Sequence, residues 1–369
     1  MPLYRSIPLP VPVSNGGTGA STFNAGAYIK MGATTFIGQA LPIPIAHGGT
    51  NSIDALINSR VMTSVGDAIV ESGAITDGQT IQRSGATFIS TPLPLSTMEG
   101  RLTLTSATPI TTADVTAAGT IYYTPYKGNQ LTLYNGSIWK RYTFTQLSLA
   151  LTLTDAKNYD VFVYDSGGPT LELSAAWTDD TTRADTLIVT NGVYVKSAST
   201  LRRYIGTIRA SGTDTTEDSI AKRFVWNMYN RVERLGYAKE TTDSWTYTTA
   251  AFRETNAGST PGTSRVDYVA GLSEDLVDAI AKPMSYNASG VSTVAGIGID
   301  SSTVNSALMF YNGAGIAFFA APSFYSGYPG LGYHSIRWLE HSDAGGTTTW
   351  YGDNGGTSLQ SGMTVKIKA

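Results

Sequence analysis

The chain has 369 residues, a length for two or three domains, and carries 25 Lys and Arg against 28 Asp and Glu, for a net charge of −3. Charged residues are only 14% of it, against about 25% in an ordinary soluble protein, and 39 glycines and 21 tyrosines stand in their place, a composition for strands and turns. With no cysteine the chain has no disulfide, no Cys-ligated zinc and no thiol nucleophile, and without a basic block it is not expected to bind nucleic acid.

Met1 to Pro10 interleaves prolines with apolar residues and lacks the uninterrupted apolar stretch of a signal peptide. No later run is long enough to span a bilayer, so membrane insertion is not expected. Val11-Pro-Val-Ser-Asn-Gly-Gly-Thr-Gly19 then returns as Ile43-Pro-Ile-Ala-His-Gly-Gly-Thr-Asn51, with Gly16 and Gly48 lying 32 residues apart. Self-similarity of this kind marks stacked, elongated architectures. The echo extends to Tyr28-Ile-Lys-Met-Gly-Ala-Thr-Thr-Phe-Ile37 and Ile81-Gln-Arg-Ser-Gly-Ala-Thr-Phe-Ile89, followed by Pro42/Pro44 and Pro92/Pro94. Gly16 to Gly32 is 16 residues and Gly48 to Gly85 is 37, so the second unit carries 21 more. Proline at alternate positions fixes φ and removes every second N–H, which favours an extended strut. Gly-Gly supplies tight turns. A phosphate-binding loop would need a Gly-Lys-Ser/Thr ending, and no lysine follows Gly19 until Lys30.

Beyond Pro94, strand–turn–strand signals dominate. Gln130–Tyr134 and Ser137–Tyr142 flank Asn135-Gly136; Tyr159–Asp165 and Thr170–Ser174 flank Ser166-Gly-Gly-Pro169; Thr186–Thr190 and Val193–Lys196 flank Asn191-Gly192. Three hairpins in about seventy residues predict an antiparallel β domain over 96–238, with Arg203–Arg209 near its end. A terminal helix is predicted at about 217–234. Thr215-Thr-Glu-Asp218 has the form of an N-cap, and Ile220, Phe224, Val225, Met228 and Val232 follow at helical spacing. Its outer face would carry Lys222, Arg223, Asn227 and Arg231. From 239 to 369 a C-terminal β-sandwich is predicted, with strands at 244–249, 265–270, 291–299 and 332–339, and 273–280 taken as a further strand.

Chemistry-bearing residues are sparse. The histidines are His47, His334 and His341, and the last two, seven apart in a strand, would point to opposite faces. Trp177–Thr182 and Gly352–Gly356 read as turns rather than calcium loops. No Gly-x-Ser-x-Gly elbow or acid/base pair stands out, so no catalytic residue, cofactor or metal is expected. Aromatics crowd the last fifth of the chain, and Tyr328, Tyr333, Trp338, Trp350 and Tyr351 are the candidates for stacking on a sugar, although a core role is the competing account of each.

The pattern at Val11–Ala20, with its weaker copy at Ile43–Ser52, resembles repeats of bacteriophage tail fibres and spans roughly residues 8–95. Arg223-Phe-Val-Trp-Asn-Met-Tyr-Asn-Arg-Val232, Asp243-Ser-Trp-Thr-Tyr-Thr248, Arg337-Trp-Leu-Glu340 and Tyr351-Gly-Asp-Asn-Gly355 are similar to segments of virion appendage proteins. This copy departs from the repeat at Ala46-His47 and Asn51. The resemblance implies a mainly β homotrimer on the virion surface, made in the host cytoplasm. Residues 1–14 would dock on another virion protein through Leu3, Tyr4, Ile7, Leu9 and Val11, 15–95 would form a repeat shaft, and 239–369 would bind a host-surface glycan or protein. A head fibre or capsid decoration protein is the alternative, and a glycan-depolymerising tailspike the third.

Overall fold

The computed structural model describes residues 28–31, 36–39, 62–65, 68–71, 79–84, 87–92, 97–311, 313–314, 322–356 and 358–369. Leu3, Tyr4, Ile7, Leu9, Val11, His47 and both Gly-Gly-Thr copies lie outside these. The chain divides into two compact units, Met1–Leu93 and Pro94–Ala369.

In the first unit the described residues form three antiparallel hairpins, each a two-stranded sheet of its own. Tyr28–Met31 pairs with Phe36–Gln39, Met62–Val65 with Ala68–Glu71, and Gln79–Ser84 with Thr87–Pro92. The first and third coincide with the echoed segments around Gly32 and Gly85. The middle one falls within the longer spacing of the second unit.

The second unit is almost wholly β. Its longest sheet runs in the order Pro169–Leu173, Asn158–Asp165, Ser199–Gly212, Thr215–Asp218, Lys222–Arg223, Arg265–Ala270, Gly332–Ser342, Ser292–Ile299 and Gly313–Ala314. Lys222–Arg223 joins Arg265–Ala270 in parallel, while the other steps are antiparallel. The predicted hairpins form around their turns: Asn191 and Gly192 take φ of 52° and 81°, as a two-residue turn of this hand requires, and Asn135 Oδ1 accepts the N–H groups of Ser137 and Ile138.

The helix expected at about 217–234 is absent. Thr215–Asp218, Lys222–Arg223, Val225–Asn227 and Glu233–Lys239 are strands instead. Phe224, Val225 and Trp226 are consecutive and all buried, which a chain between packed layers accommodates and a one-faced helix does not. Asn230 at φ 56° also leaves the right-handed helical region. The residues assigned to a solvated basic face are paired within the fold: Lys222 with Glu217, Arg223 with Asp218, and Arg231 with Glu274 and Asp275. Nor does the unit divide at 238/239. The strand Glu233–Lys239 crosses that point and pairs along its whole length with Gly362–Lys368.

The two largest cores lie along the long sheet. One gathers Leu102, Ile121, Leu131, Leu133, Val161, Val163 and Ile208. The other gathers Val266, Tyr268, Ile297, Ile336 and Trp338 of the long sheet with Ala238, Val277, Ala279, Ala281, Met363, Val365 and Ile367 of a separate four-stranded sheet. The exposed face of that second sheet is the surface of interest.

Candidate functional site

The four strands lie in the order Glu233–Lys239, Gly362–Lys368, Val277–Lys282 and Ser323–Gly327, all antiparallel. Alternation along each strand sends the small and aliphatic residues into the core and their neighbours outward, as in Met363-Thr-Val-Lys-Ile-Lys368. Residues directly opposite each other share a face, so the outward side chains form rungs. Glu233 stands beside Lys368; Leu235, Lys366, Asp278 and Ser326 make the next rung; Tyr237, Thr364, Ile280 and Phe324 the third; Lys239, Gly362 and Lys282 the last.

Two shallow hollows of about 300 and 240 Å³ meet at Ile280 and Thr364. The first reaches Leu308, Met309, Phe324 and Lys366; the second reaches Tyr237, Lys239, Lys282 and Gly362. Leu308 and Met309 are 65% and 63% exposed, and the backbone of Phe324 bonds to both. An apolar margin this open is uncommon on a surface that meets only water.

The charges of this region are sorted by residue type. From Glu233 to the C-terminus the four arginines all sit in ion pairs: Arg234 with Asp218 at 2.7 Å, Arg253 with Glu340 at 2.7 Å, Arg265 with Asp267 at 3.2 Å, and Arg337 with Glu254. The four lysines of the same stretch, Lys239, Lys282, Lys366 and Lys368, all project from this one face. Among the described residues none has a carboxylate within 4.0 Å, even though Lys366 lies across from Asp278 and Lys368 across from Glu233. The rung of Lys239 and Lys282 holds no carboxylate, and its middle position is the bare Gly362.

The aromatics singled out in the sequence have different fates. Tyr328 is 67% exposed, in the loop that leaves the edge strand Ser323–Gly327. Tyr351 is half-buried on Thr348–Tyr351. Tyr333 is half-buried under the Arg209 guanidinium, 3.7 Å from the ring centre, and edge-on to Phe224; burial and the neighbouring Asp267 push its hydroxyl up to about 12. Trp338 and Trp350 are buried outright, so neither presents a face for stacking. Both occupy buried positions in the strand alternation that ordinary core packing explains. The lysine rungs were not among the sequence candidates; the outward lysines of Met363–Lys368 were the available signal.

Among the described residues, the histidines and carboxylates weighed for metal or acid/base chemistry are engaged with neighbouring groups of the fold. The strand Gly332–Ser342 runs through both histidines and sets them on opposite faces: His334 bonds Asp300 at 2.8 Å, and His341 lies against Phe252. Arg253 stands opposite Glu340 and Glu254 opposite Leu339, so Glu254 and Glu340 also face opposite sides. Burial raises Glu340, while Trp245 and Arg253 hold its charged form. Asp179 Oδ1 accepts the N–H groups of Thr181 and Thr182 as the hub of a turn, and Gly355 and Gly356 take positive φ in the other suspected loop.

No protein-family model matches this sequence, and no curated protein matches it. Among solved structures, BuGH86wt in complex with neoagarooctaose is similar at 13% identity and a TM-score of 0.18 over 69% of this chain. The mosquito-larvicidal Cry4Aa toxin from Bacillus thuringiensis is similar at 8% identity and a TM-score of 0.15 over 68%. The chain covers 34% and 49% of those two structures.

Proposed function

We propose that the protein is a non-enzymatic attachment fibre of a bacteriophage virion: a homotrimer anchored through residues 1–14, extended by the repeat-bearing segment to about residue 95, and presenting its C-terminal β layers to the host surface. The observation that carries the binding half of this proposal is the outer face of the four-stranded sheet. It combines open apolar side chains with four lysines that take no part in the ion pairs used elsewhere in the unit. Contiguous open apolar surface of this kind marks interaction sites more often than it marks a face that meets only water. The Gly-Gly-Thr and proline echo supports the fibre half, since units with so little apolar surface gain most of their burial from neighbouring chains. Glu254 and Glu340, each held by an arginine and facing opposite sides, favour binding over glycoside cleavage.

The test is placement and competition. Antibody against residues 94–369 should label the virion tail in electron micrographs, and the purified full chain should reduce adsorption of particles to host cells. Labelling of the capsid would instead favour the head-fibre alternative. Absence of label from the particle would end the proposal, and release of oligosaccharides from host polysaccharide would replace binding with catalysis.

A further inference from the structure

We infer that the ligand of this face is an acidic polysaccharide, held by its carboxylate or phosphate groups at the Lys239/Lys282 rung and by its sugar rings along the neighbouring apolar rung. The inference rests on the attachment role proposed above and adds the chemistry of what is attached.

The geometry orders the contacts. Lys239 and Lys282 stand on either side of Gly362, two strand spacings or about 10 Å apart at the backbone. Their long, flexible stems can therefore converge on one anion above a floor that has no side chain. The Lys239 ammonium already lies 4.5 Å from the centre of the Tyr237 ring, which holds it beside the hollow. The next rung toward the C-terminal end of the last strand is uncharged, with Tyr237, Thr364, Ile280 and Phe324. Apolar side chains with a hydroxyl among them suit the mixed faces of a sugar ring. Lys366 stands about 13 Å beyond Gly362 along the same strand, so a second anionic group would meet a second lysine. A chain bearing acids at intervals, with ring surfaces between them, fits this alternation.

Charge argues against one other occupant and the apolar rung against another. A second copy apposed through the same face would bring four lysines onto four more, with only Glu233 and Asp278 of each copy to offset them. An acidic peptide would satisfy the lysines but would leave the apolar rung without ring surfaces to cover. The protein as a whole is negative, at −3, so attraction of a polyanion must come from a local patch, and this face gathers every lysine of the last 137 residues.

The experiment uses the full chain and defined probes. Binding is measured by calorimetry to polygalacturonate, to its fully methyl-esterified form, to a phosphate-bearing mannan, to polyglutamate and to single-stranded DNA. The expected result is salt-sensitive binding to polygalacturonate or the phosphomannan, with at least about tenfold weaker binding to the methyl ester. Lys239→Gln with Lys282→Gln should weaken it by about tenfold, whereas Lys239→Arg with Lys282→Arg, and Lys140→Gln elsewhere on the surface, should not. Equal binding to the methyl ester, stronger binding to polyglutamate or DNA, or an unchanged affinity in the Gln variant would overturn the inference. So would dissociation of the oligomer in the Gln variant, seen by light scattering, since the face would then be a subunit contact. Failure of both acidic polysaccharides to bind would overturn it too. Virion labelling that persists through any of these failures leaves attachment standing with another ligand class; lysine-dependent binding without virion labelling leaves the ligand class standing and removes the virion role.

Discussion

Replacing Trp350 by alanine should destabilise the second unit by about 3–5 kcal/mol. Trp350 is 1% exposed and sits on Thr348–Tyr351, the middle strand of a three-stranded sheet, with Trp245 and Ser285 as its cross-strand neighbours. A buried tryptophan covers about 150–250 Å², and at about 25 cal/mol/Å² its complete removal would forfeit roughly 4–6 kcal/mol. The alanine β-carbon and partial collapse of neighbours return some of that. The indole Nε1 finds no partner among the described residues, so Trp350→Phe sheds an unpaired donor as well as volume and should cost less than about 1.5 kcal/mol. Urea unfolding followed by circular dichroism separates the two. With an m-value of about 3 kcal/mol/M, alanine should lower the midpoint by more than about 1 M and phenylalanine by less than half of that. A midpoint for Trp350→Ala equal to the wild type would refute the burial, and lost ligand binding with an unchanged midpoint would return Trp350 to the binding surface.

Tyr328→Ala, at a position 67% exposed, should leave the urea midpoint unchanged to within about 0.5 kcal/mol of stability, and a larger loss would mean the ring is covered in solution. Arg183→Met should cost about 3–5 kcal/mol by the same measurement, because Arg183 is the charge partner of the fully buried Asp160 at 2.8 Å, lies over the Trp177 ring and bonds the Gly271 carbonyl. Burial, opposed by Arg183 and Thr207, holds Asp160 up to about 6, against about 3.9 in an unfolded chain. The folded protein therefore keeps this proton longer than the unfolded one, and the contribution of Asp160 to stability falls as pH rises from about 4 to 6 and is level above that. Urea midpoints across that window should fall for the wild type relative to Asp160→Asn, and parallel curves would show that Asp160 ionises as easily inside as outside.

Turn chemistry made much of the fold legible. Asn191-Gly192 takes a local conformation that few other residues adopt, and Asn135 with Gly136 at positive φ closes a longer loop, so the strands on either side follow whatever lies farther along the chain. The false helix shows the opposite condition. Ile220, Phe224, Val225, Met228 and Val232 satisfy a helical period, but Trp226 between them is fully buried and bonds Asp275 from 49 residues away. Periodicity counts only the apolar positions that fit. The misfits, a tryptophan left out of the apolar stripe and an asparagine on the supposed wet face, were the local sign that both sides of the segment were covered. The unity of residues 94–369 was hidden for a related reason, because pairing of Glu233–Lys239 with the last strand depends on register between segments more than 120 residues apart.

The same remoteness hid the site. Lys239, Lys282 and Lys366 look like isolated solubilising charges in the sequence, and only the pairing of both Lys239 and Lys282 with Gly362 brings them to one rung. The tryptophans drew attention because a large aromatic is informative wherever it lies, yet its size makes burial its most favourable state. A lysine carries the opposite bias: its charge keeps it at the surface whether or not it binds anything. Its meaning therefore comes from what it lacks. Along this half of the unit every arginine is spent on a carboxylate and, among the described residues, no lysine is, although Lys366 and Lys368 each have a carboxylate on the neighbouring strand. Arginine, with its planar fork, suits permanent pairs inside the fold, and lysine, a mobile point charge on a flexible stem, suits a partner that arrives from solution. Within this half of the unit that division of labour, rather than any conspicuous motif, is what supports the proposal of a ligand at the outer sheet.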